Sequence, residues 1–141
     1  MQGAYVIDTA GLAFPKLVRP TKAQHKYQRQ LREGKFRAAV WLRDHSCDRA
    51  TGRPLFHVAQ SDEDLGEVCH LRGRRVAPEL ALNPRNAVLL SAAHHRLSDG
   101  RGNNRLKLTD PQTGLRAADA FKPITFTLYD KSGNVVWART R

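Results

Sequence analysis

Two histidines and an asparagine are spaced in a way that could assemble a hydrolytic site. His70 closes a short apolar segment, Asn86 follows sixteen residues later, and His95 lies nine residues beyond the asparagine, with several arginines between them. A neutral imidazole can accept a proton from water near neutral pH, and a second imidazole can bind a metal ion. A guanidinium group can donate two parallel hydrogen bonds to the oxygens of one phosphate group. This set of groups predicts the hydrolysis of a phosphodiester.

The charge of the chain points to a polyanionic partner. The 141 residues carry a formal net charge of +11, and such an excess favours binding to nucleic acid. Positive charge is concentrated in residues 16–43, with nine basic residues and one acidic, and again in residues 71–110, with eight basic and three acidic. These two basic segments flank the candidate histidines, which favours a phosphate-binding surface around them.

The expected location is the cytoplasm. No apolar run approaches the roughly 20 residues of a membrane span, and the first residues lack the pattern of a secretory signal. Only two cysteines are present, Cys47 and Cys69, and they do not provide a disulfide framework.

A basic amphipathic helix is predicted between residues 22 and 44. Thr21 is a suitable N-cap, and apolar side chains recur at near-helical spacing up to Trp41. Gly34 lies inside this pattern and is expected to divide the helix, leaving a basic arm over residues 1–34. The basic residues expected to bind nucleic acid are Lys22, Lys26, Arg29, Arg32, Lys35 and Arg37.

The candidate histidines lie among short predicted elements. Residues 54–58 and 67–71 are predicted to form an antiparallel ribbon, because both are β-prone and an acidic loop joins them. A long irregular loop follows, and residues 87–90 form an apolar run expected to pack against it. Ser91 is a suitable N-cap for a helix that ends before Gly100.

The C-terminal part is predicted to be β-structure. Residues 105–108 and 115–117 are expected to form one hairpin, and residues 124–129 and 135–139 a second with a stronger signal. Their expected role is packing; DNA contact by the last strand is the alternative. The chain is therefore predicted to be an α+β protein with three parts: a basic arm at 1–34, a core at 35–102 and a C-terminal β-hairpin extension packed on the core at 103–141.

Two flanking segments extend the histidine pattern into a family resemblance. Residues 37–44 end in an Arg-Asp pair shortly before Cys47, and residues 89–95 read Leu-Leu-Ser-Ala-Ala-His-His. Together with the two histidines and the asparagine, these segments resemble the HNH endonucleases. The core of that family is a two-stranded ribbon followed by a helix around one divalent metal, the ββα-metal fold. The resemblance covers residues 37–99.

The resemblance implies a role for each matched residue. His70 would be the general base that takes a proton from the attacking water, and His95 would be a ligand of the metal ion. Asn86 would fasten the loop and help to orient the base. Arg72 and Arg74 follow the base at alternate positions, so one of the two would reach the scissile phosphate.

Two more residues are candidate metal ligands. Cys69 takes a position where the family often has aspartate or histidine, and it either binds the metal or faces the core. Asp99 lies four residues after His95, on the same helix face, and is an alternative source of an oxygen ligand. The expected cofactor is a divalent metal ion, Mg²⁺ or Mn²⁺. Zn²⁺ and Ni²⁺ are the alternatives because a thiolate suits softer metals.

The chain departs from the family at the structural zinc site that many members carry. Cys47 fills the first ligand position, but Ala50 stands at the second, and Ser91 and His94 stand at the later pair. A tetrahedral zinc site needs four ligands. We therefore expect this zinc to be absent and apolar packing by the C-terminal hairpin to replace it.

The leading functional hypothesis is a metal-dependent DNA endonuclease of the small stand-alone type frequent in phages and mobile elements. The resemblance therefore implies a bacterial or phage-infected host cell. The expected partners of the chain are DNA and either a second copy of the chain or phage packaging or recombination proteins. The alternative is a catalytically inactive nucleic-acid-binding module, which Cys69 favours. A purely structural or interaction domain is disfavoured by the charge and by the placement of the histidines.

Overall fold

The computed structural model describes residues 5–7, 13–15 and 19–141, and its contacts divide the chain into units of residues 1–32 and 33–141. The protein is of the α+β class, as predicted. Its helices and strands are β1 (Tyr5–Ile7), β2 (Ala13–Pro15), α1 (Lys22–Arg43), β3 (Gly66–His70), β4 (Ala87–Ser91), α2 (Ala92–Ser98), β5 (Arg105–Thr109), β6 (Thr125–Tyr129) and β7 (Val135–Thr140).

The first unit contains the antiparallel pair β1–β2 and the beginning of α1. Much of the predicted basic arm, residues 1–4, 8–12 and 16–18, lies outside the described residues. The predicted N-cap is confirmed. Thr21 Oγ1 accepts the backbone N–H of Gln24 at 3.2 Å, and Gln24 Oε1 accepts that of Thr21 at 2.7 Å, a reciprocal arrangement that satisfies two free donors of the helix end.

The predicted break of α1 at Gly34 is wrong, because the helix continues through this residue to Arg43. A single glycine costs a helix only about 1 kcal/mol relative to alanine. The last turns of α1 are anchored by burial of Phe36, Val40 and Trp41 against Leu55 and Leu89, and this packing outweighs the glycine.

The predicted ribbon of residues 54–58 and 67–71 is also wrong in its pairing. Strand β3 pairs antiparallel with β4, with His70 opposite Ala87, whereas residues 54–58 contribute only isolated bridges at Pro54 and Phe56. All five residues of β4 are buried. A strand that is buried on both faces has a continuous apolar sequence without alternation. For this reason the sequence of β4 predicted an apolar segment packed against the loop and not a strand.

Helix α2 follows β4 without a loop. The side-chain oxygen of Ser91 accepts the N–H of His94 at 3.1 Å, which confirms the predicted N-cap. The helix ends at Ser98, and Gly100 has a φ of +77°, which a residue without Cβ adopts readily. The order of ribbon and helix is therefore β3, β4, α2.

The C-terminal residues form a three-stranded antiparallel sheet in the order β5-β6-β7. The predicted hairpin of residues 124–129 and 135–139 is confirmed as β6 and β7. The predicted hairpin of 105–108 with 115–117 is wrong, because β5 pairs with β6 and Arg116 makes only an isolated bridge to Thr109. The inward side chains of the sheet share one core with β4 and Cys69. In the described part of the chain, no helix is long and apolar enough to cross a membrane.

Candidate functional site

His70 and His95 line the same cavity, of about 330 Å³. His70 is the last residue of β3 and His95 lies in the middle of α2, so the antiparallel ribbon and the helix that follows it bring the two side chains together. The other side chains that line this histidine cavity include those of Arg37, Trp41, His57, Glu67 and Arg74.

The ring of His70 is held in one orientation. Its Nε2 lies 2.8 Å from the backbone carbonyl oxygen of Ala81, and the ring stacks on Phe36 with centroids 5.5 Å apart. A carbonyl can only accept a hydrogen bond, so Nε2 carries the proton and Nδ1 of the neutral ring keeps its lone pair. This is the tautomer that a general base needs.

Asn86 fastens the loop that supplies the Ala81 carbonyl. The residue is 1% exposed, and its Oδ1 accepts the backbone N–H of Arg72 at 2.9 Å. Its Nδ2 donates to the carbonyl oxygens of Arg72 at 3.0 Å and Leu80 at 3.3 Å. Asn86 does not line the histidine cavity, so it acts on His70 through the loop, in keeping with the fastening role that the resemblance implied.

His95 is surrounded by groups that stabilise positive charge. Its Nδ1 lies 3.3 Å from Glu67 Oε1, and its Nε2 lies 3.6 Å from Asp99 Oδ2. A hydrogen bond with Cys69, the electrostatic influence of Cys69 and Asp99, and the bond to Glu67 outweigh the opposing effect of burial. Together they raise the pKa of His95 to about 9. In the absence of a competing cation, the ring is therefore protonated at neutral pH.

The groups around His95 also determine how this residue could bind a metal ion. Within the described residues, no three His, Cys, Asp or Glu side chains are arranged as a metal site. A metal would have to displace the proton of His95, because only the neutral imidazole is a ligand. Glu67 lies beside Nδ1 of the ring and Asp99 beside Nε2, so an ion bound to either nitrogen would have one carboxylate as a neighbour. Oxygen donors suit Mg²⁺ and Mn²⁺. Because Mg²⁺ keeps several waters and often takes only one or two carboxylates from the protein, the imidazole and one carboxylate fit an ion completed by water and substrate.

Cys69 is buried, with 1% exposure, and belongs to the hydrophobic core. Its thiol lies 3.4 Å from Ser98 Oγ, and its contact with His95 places it on the side of β3 that faces α2. Of the two alternatives from the sequence, a metal ligand or a core-facing side chain, the burial of Cys69 agrees with the second, and ligation of a metal stays a prediction.

The two candidate arginines are separated in the structure. Arg74 lines the histidine cavity, whereas Arg72 lines another cavity together with Arg116 and Asp119. Arg37, one of the basic residues predicted to bind nucleic acid, also lines the histidine cavity. All of that predicted basic set on α1 are exposed, namely Lys22, Lys26, Arg29, Arg32, Lys35 and Arg37.

Sequence reasoning missed Glu67, Trp41 and His57 as residues of this cavity. The rings of Trp41 and His57 stack with centroids 3.7 Å apart, a contact between distant segments that no local pattern reveals. Glu67 could have been found, because it stands two residues before Cys69 on β3 and the period of a strand places both on one face.

A network of hydrogen bonds around Asp48 lies where many members of the family carry the structural zinc site. Asp48 is 1% exposed. Its Oδ2 accepts from His94 Nδ1 at 2.6 Å and from the backbone of Ser91 at 3.0 Å, and its Oδ1 accepts from the backbone of Ala50 at 2.7 Å. Burial raises the pKa of Asp48, but these bonds and the charge of His94 lower it more.

The expected apolar packing is present, because Ala50 belongs to the core shared with the C-terminal sheet, but the sequence did not predict the polar network that accompanies it. A buried carboxylate with several hydrogen bonds joins the segment after α1 to the start of α2. The C-terminal sheet still contributes, since the ring of Trp137 meets that of His94 edge-on at 5.9 Å.

No protein-family model, curated protein or solved structure matches this chain. The function is therefore inferred from the geometry and charge of the site itself.

Proposed function

We propose that the chain is a metal-dependent DNA endonuclease with a ββα-metal core of the HNH type. The observation that carries the proposal is the cavity shared by His70 and His95, in which a carbonyl fixes His70 in the tautomer of a base. The order of β3, β4 and α2 supports it, because an antiparallel ribbon followed directly by a helix is the arrangement that the resemblance implies.

In the proposed reaction, His70 Nδ1 takes a proton from a water molecule whose oxygen attacks the phosphorus. The Ala81 carbonyl favours this step, because it continues to accept the Nε2 proton while the ring becomes positively charged. As the new P–O bond forms, the bond to the leaving oxygen breaks and that oxygen takes a proton from solvent. Arg37 and Arg74 line the cavity and would bind the non-bridging oxygens of the phosphate.

His95 would hold the metal ion together with one carboxylate, either Glu67 at Nδ1 or Asp99 at Nε2. When bound, the ion would supply positive charge near the leaving oxygen. A carboxylate donor favours Mg²⁺ or Mn²⁺, whereas the neighbouring thiol of Cys69 would add affinity for Zn²⁺ or Ni²⁺.

A nucleic-acid-binding module without catalysis is the second candidate. Two observations favour it: the described residues include no preassembled set of metal donors, and the pKa of His95 is raised to about 9, so a proton competes with any metal at neutral pH. The net charge of +11 suits either candidate.

Plasmid nicking distinguishes the two candidates. Supercoiled DNA is incubated with the protein and Mg²⁺, Mn²⁺, Ni²⁺ or Zn²⁺, and in parallel with EDTA. We expect metal-dependent nicking by the wild type that His70→Ala lacks. His25→Ala, which changes an exposed histidine of α1, is expected to cut like the wild type. DNA binding without nicking in any of the four metals would overturn the nuclease proposal in favour of the binding module.

A further inference from the structure

A second basic cavity, of about 360 Å³, lies where the segment after α2 meets one end of the C-terminal sheet. Gly100 and Asn104 line it from that segment. Arg105 and Lys107 line it from β5, and Lys131 lines it from the turn between β6 and β7. Arg105 and Lys107 belong to the second basic segment of the sequence, residues 71–110, but none of these five residues was singled out as a site residue, and none of them lines the histidine cavity.

Within residues 19–141, the three cations of this basic cavity, Arg105, Lys107 and Lys131, form no ion pair with a carboxylate. Arg105 and Lys107 occupy alternate exposed positions of β5, and Lys131 is exposed in its turn. The ion pairs found in residues 19–141 include none of the three. Asp130 also lines the cavity, but its Oδ1 accepts two backbone N–H groups of its own turn, each at 2.9 Å. The cavity therefore presents an excess of positive charge to solvent.

The donors around this cavity suit a phosphate group. Lys107 Nζ lies over the ring of Tyr129, 5.2 Å from its centroid, which holds the ammonium group at the rim. Asn103 and Asn104 also line the cavity. Lysine, arginine and asparagine side chains are among the groups through which proteins hold a nucleic-acid backbone without reading its sequence.

The end of α2 and the residues that follow it connect the histidine cavity to this basic cavity. His95 lines the histidine cavity and Gly100, five residues later, lines the basic one. Consecutive Cα atoms are about 3.8 Å apart, so the Cα atoms of these two residues lie at most about 19 Å from each other. One strand of DNA advances about 3.4 Å per nucleotide. A strand with one phosphate at the histidines therefore has another phosphate near the basic cavity within a few nucleotides.

The geometry points to a second phosphate site: the basic cavity binds the backbone of the nucleic acid a few nucleotides from the scissile phosphate. The inference rests on the proposed function for the position of the scissile phosphate. The binding itself needs only the unpaired cations, so it can be measured without cleavage.

The test compares Lys107→Gln, Lys131→Gln and the double variant with Arg75→Gln. Arg75 is exposed, takes part in no ion pair of the described residues and lines neither cavity, so it controls for the reduced net charge. Affinity for a labelled DNA duplex is measured by anisotropy in EDTA over a series of salt concentrations. Each lysine–phosphate interaction that a substitution removes should reduce the slope of log affinity against log salt by about 0.9.

We expect the double variant to bind about tenfold more weakly at moderate salt and its slope to fall by about twice the amount for a single lysine. Lys107→Arg, which keeps the charge, is expected to bind like the wild type. Arg75→Gln is expected to retain the wild-type slope. Equal melting temperatures exclude unfolding as the cause, because both lysines are exposed.

The outcomes separate this inference from the nuclease proposal. Wild-type affinity and slope in the double variant would overturn the second phosphate site, whatever the nicking assay gives. Weaker binding by the double variant, together with a wild type that cuts in no metal, would support the site and overturn the nuclease. If Arg75→Gln weakened binding as much as either single lysine substitution, the lower net charge alone would explain the effect, and this result would also overturn the site.

Discussion

At the scale of single residues, the proposed base depends on a side chain that never enters the histidine cavity. His70 donates to the Ala81 carbonyl, and the loop that carries this carbonyl is tied down by the three hydrogen bonds of Asn86. The asparagine is buried and both ends of its amide are used. We therefore expect Asn86 to affect the reaction only through the position of His70, and a substitution of Asn86 to lower stability as well.

Asn86→Ala should lower both stability and activity. It leaves the Arg72 N–H and the carbonyls of Arg72 and Leu80 without this partner, which should cost about 2 kcal/mol in the free energy of unfolding. Displacement of the Ala81 carbonyl should reduce kcat about tenfold to a hundredfold, with little change in KM. Urea unfolding and nicking kinetics measure the two effects. Asn134→Ala, at an exposed turn, should change neither, and a stable Asn86→Ala with full kcat would contradict the positional role.

The buried Asp48 predicts a dependence of stability on acid. The folded-state pKa lies below the ordinary value of 3.8. Its contribution is therefore fully present above about pH 4 and is lost as the pH falls through the folded value. Asp48→Asn should be less stable than the wild type at pH 7. The difference in free energy of unfolding between the two should shrink below pH 4. A difference that stays constant from pH 7 to pH 2 would show that the charge of Asp48 does not stabilise the fold.

At the scale of elements, the sequence predicted the helix caps but not which strands pair with each other. The caps at Thr21 and Ser91 were found because a cap is decided within three or four residues. The pairing of β3 with β4 was missed, since β4 is buried on both faces and has no alternating pattern. The contact of Asp48 with His94 spans 46 residues, and no periodicity encodes it. The spacing of His70, Asn86 and His95 identified the cavity, but not Glu67, His57 or Trp41 in its wall.

The close packing of β3 on α1 leaves no room for a side chain at Gly66, the first residue of β3. A Cβ built on Gly66 would lie 2.4 Å from Cη2 and 2.6 Å from Cζ2 of the Trp41 ring, and this ring lines the histidine cavity with His57. Gly66→Ala should therefore destabilise the protein by about 1–3 kcal/mol and disturb the cavity. Gly73→Ala is the matched control, because nothing lies within 4 Å of its Cβ position. Equal unfolding midpoints in urea for the two variants would contradict this packing argument.

At the scale of the whole chain, most of the predicted DNA-binding residues of α1 and the histidine cavity belong to different units. The residues of the histidine cavity all belong to residues 33–141, whereas four of the six basic residues predicted on α1, Lys22, Lys26, Arg29 and Arg32, belong to residues 1–32. These four residues are exposed and lie outside the histidine cavity. If they bind DNA, they should contribute to affinity and not to the chemical step.

Changing Lys22, Lys26 and Arg29 together to glutamine tests this division. Each phosphate interaction that these substitutions remove should reduce the salt slope of DNA affinity by about 0.9, and KM should rise, because the interactions removed hold ground state and transition state equally. The kcat for nicking should stay at its wild-type value, since His70, Arg37 and Arg74 are unchanged. Gln28→Ala, an exposed neutral change on the same helix, should alter neither parameter. A large fall in kcat in the triple variant, with an unchanged salt slope, would instead place these residues in the chemical step and contradict the separation of binding from catalysis.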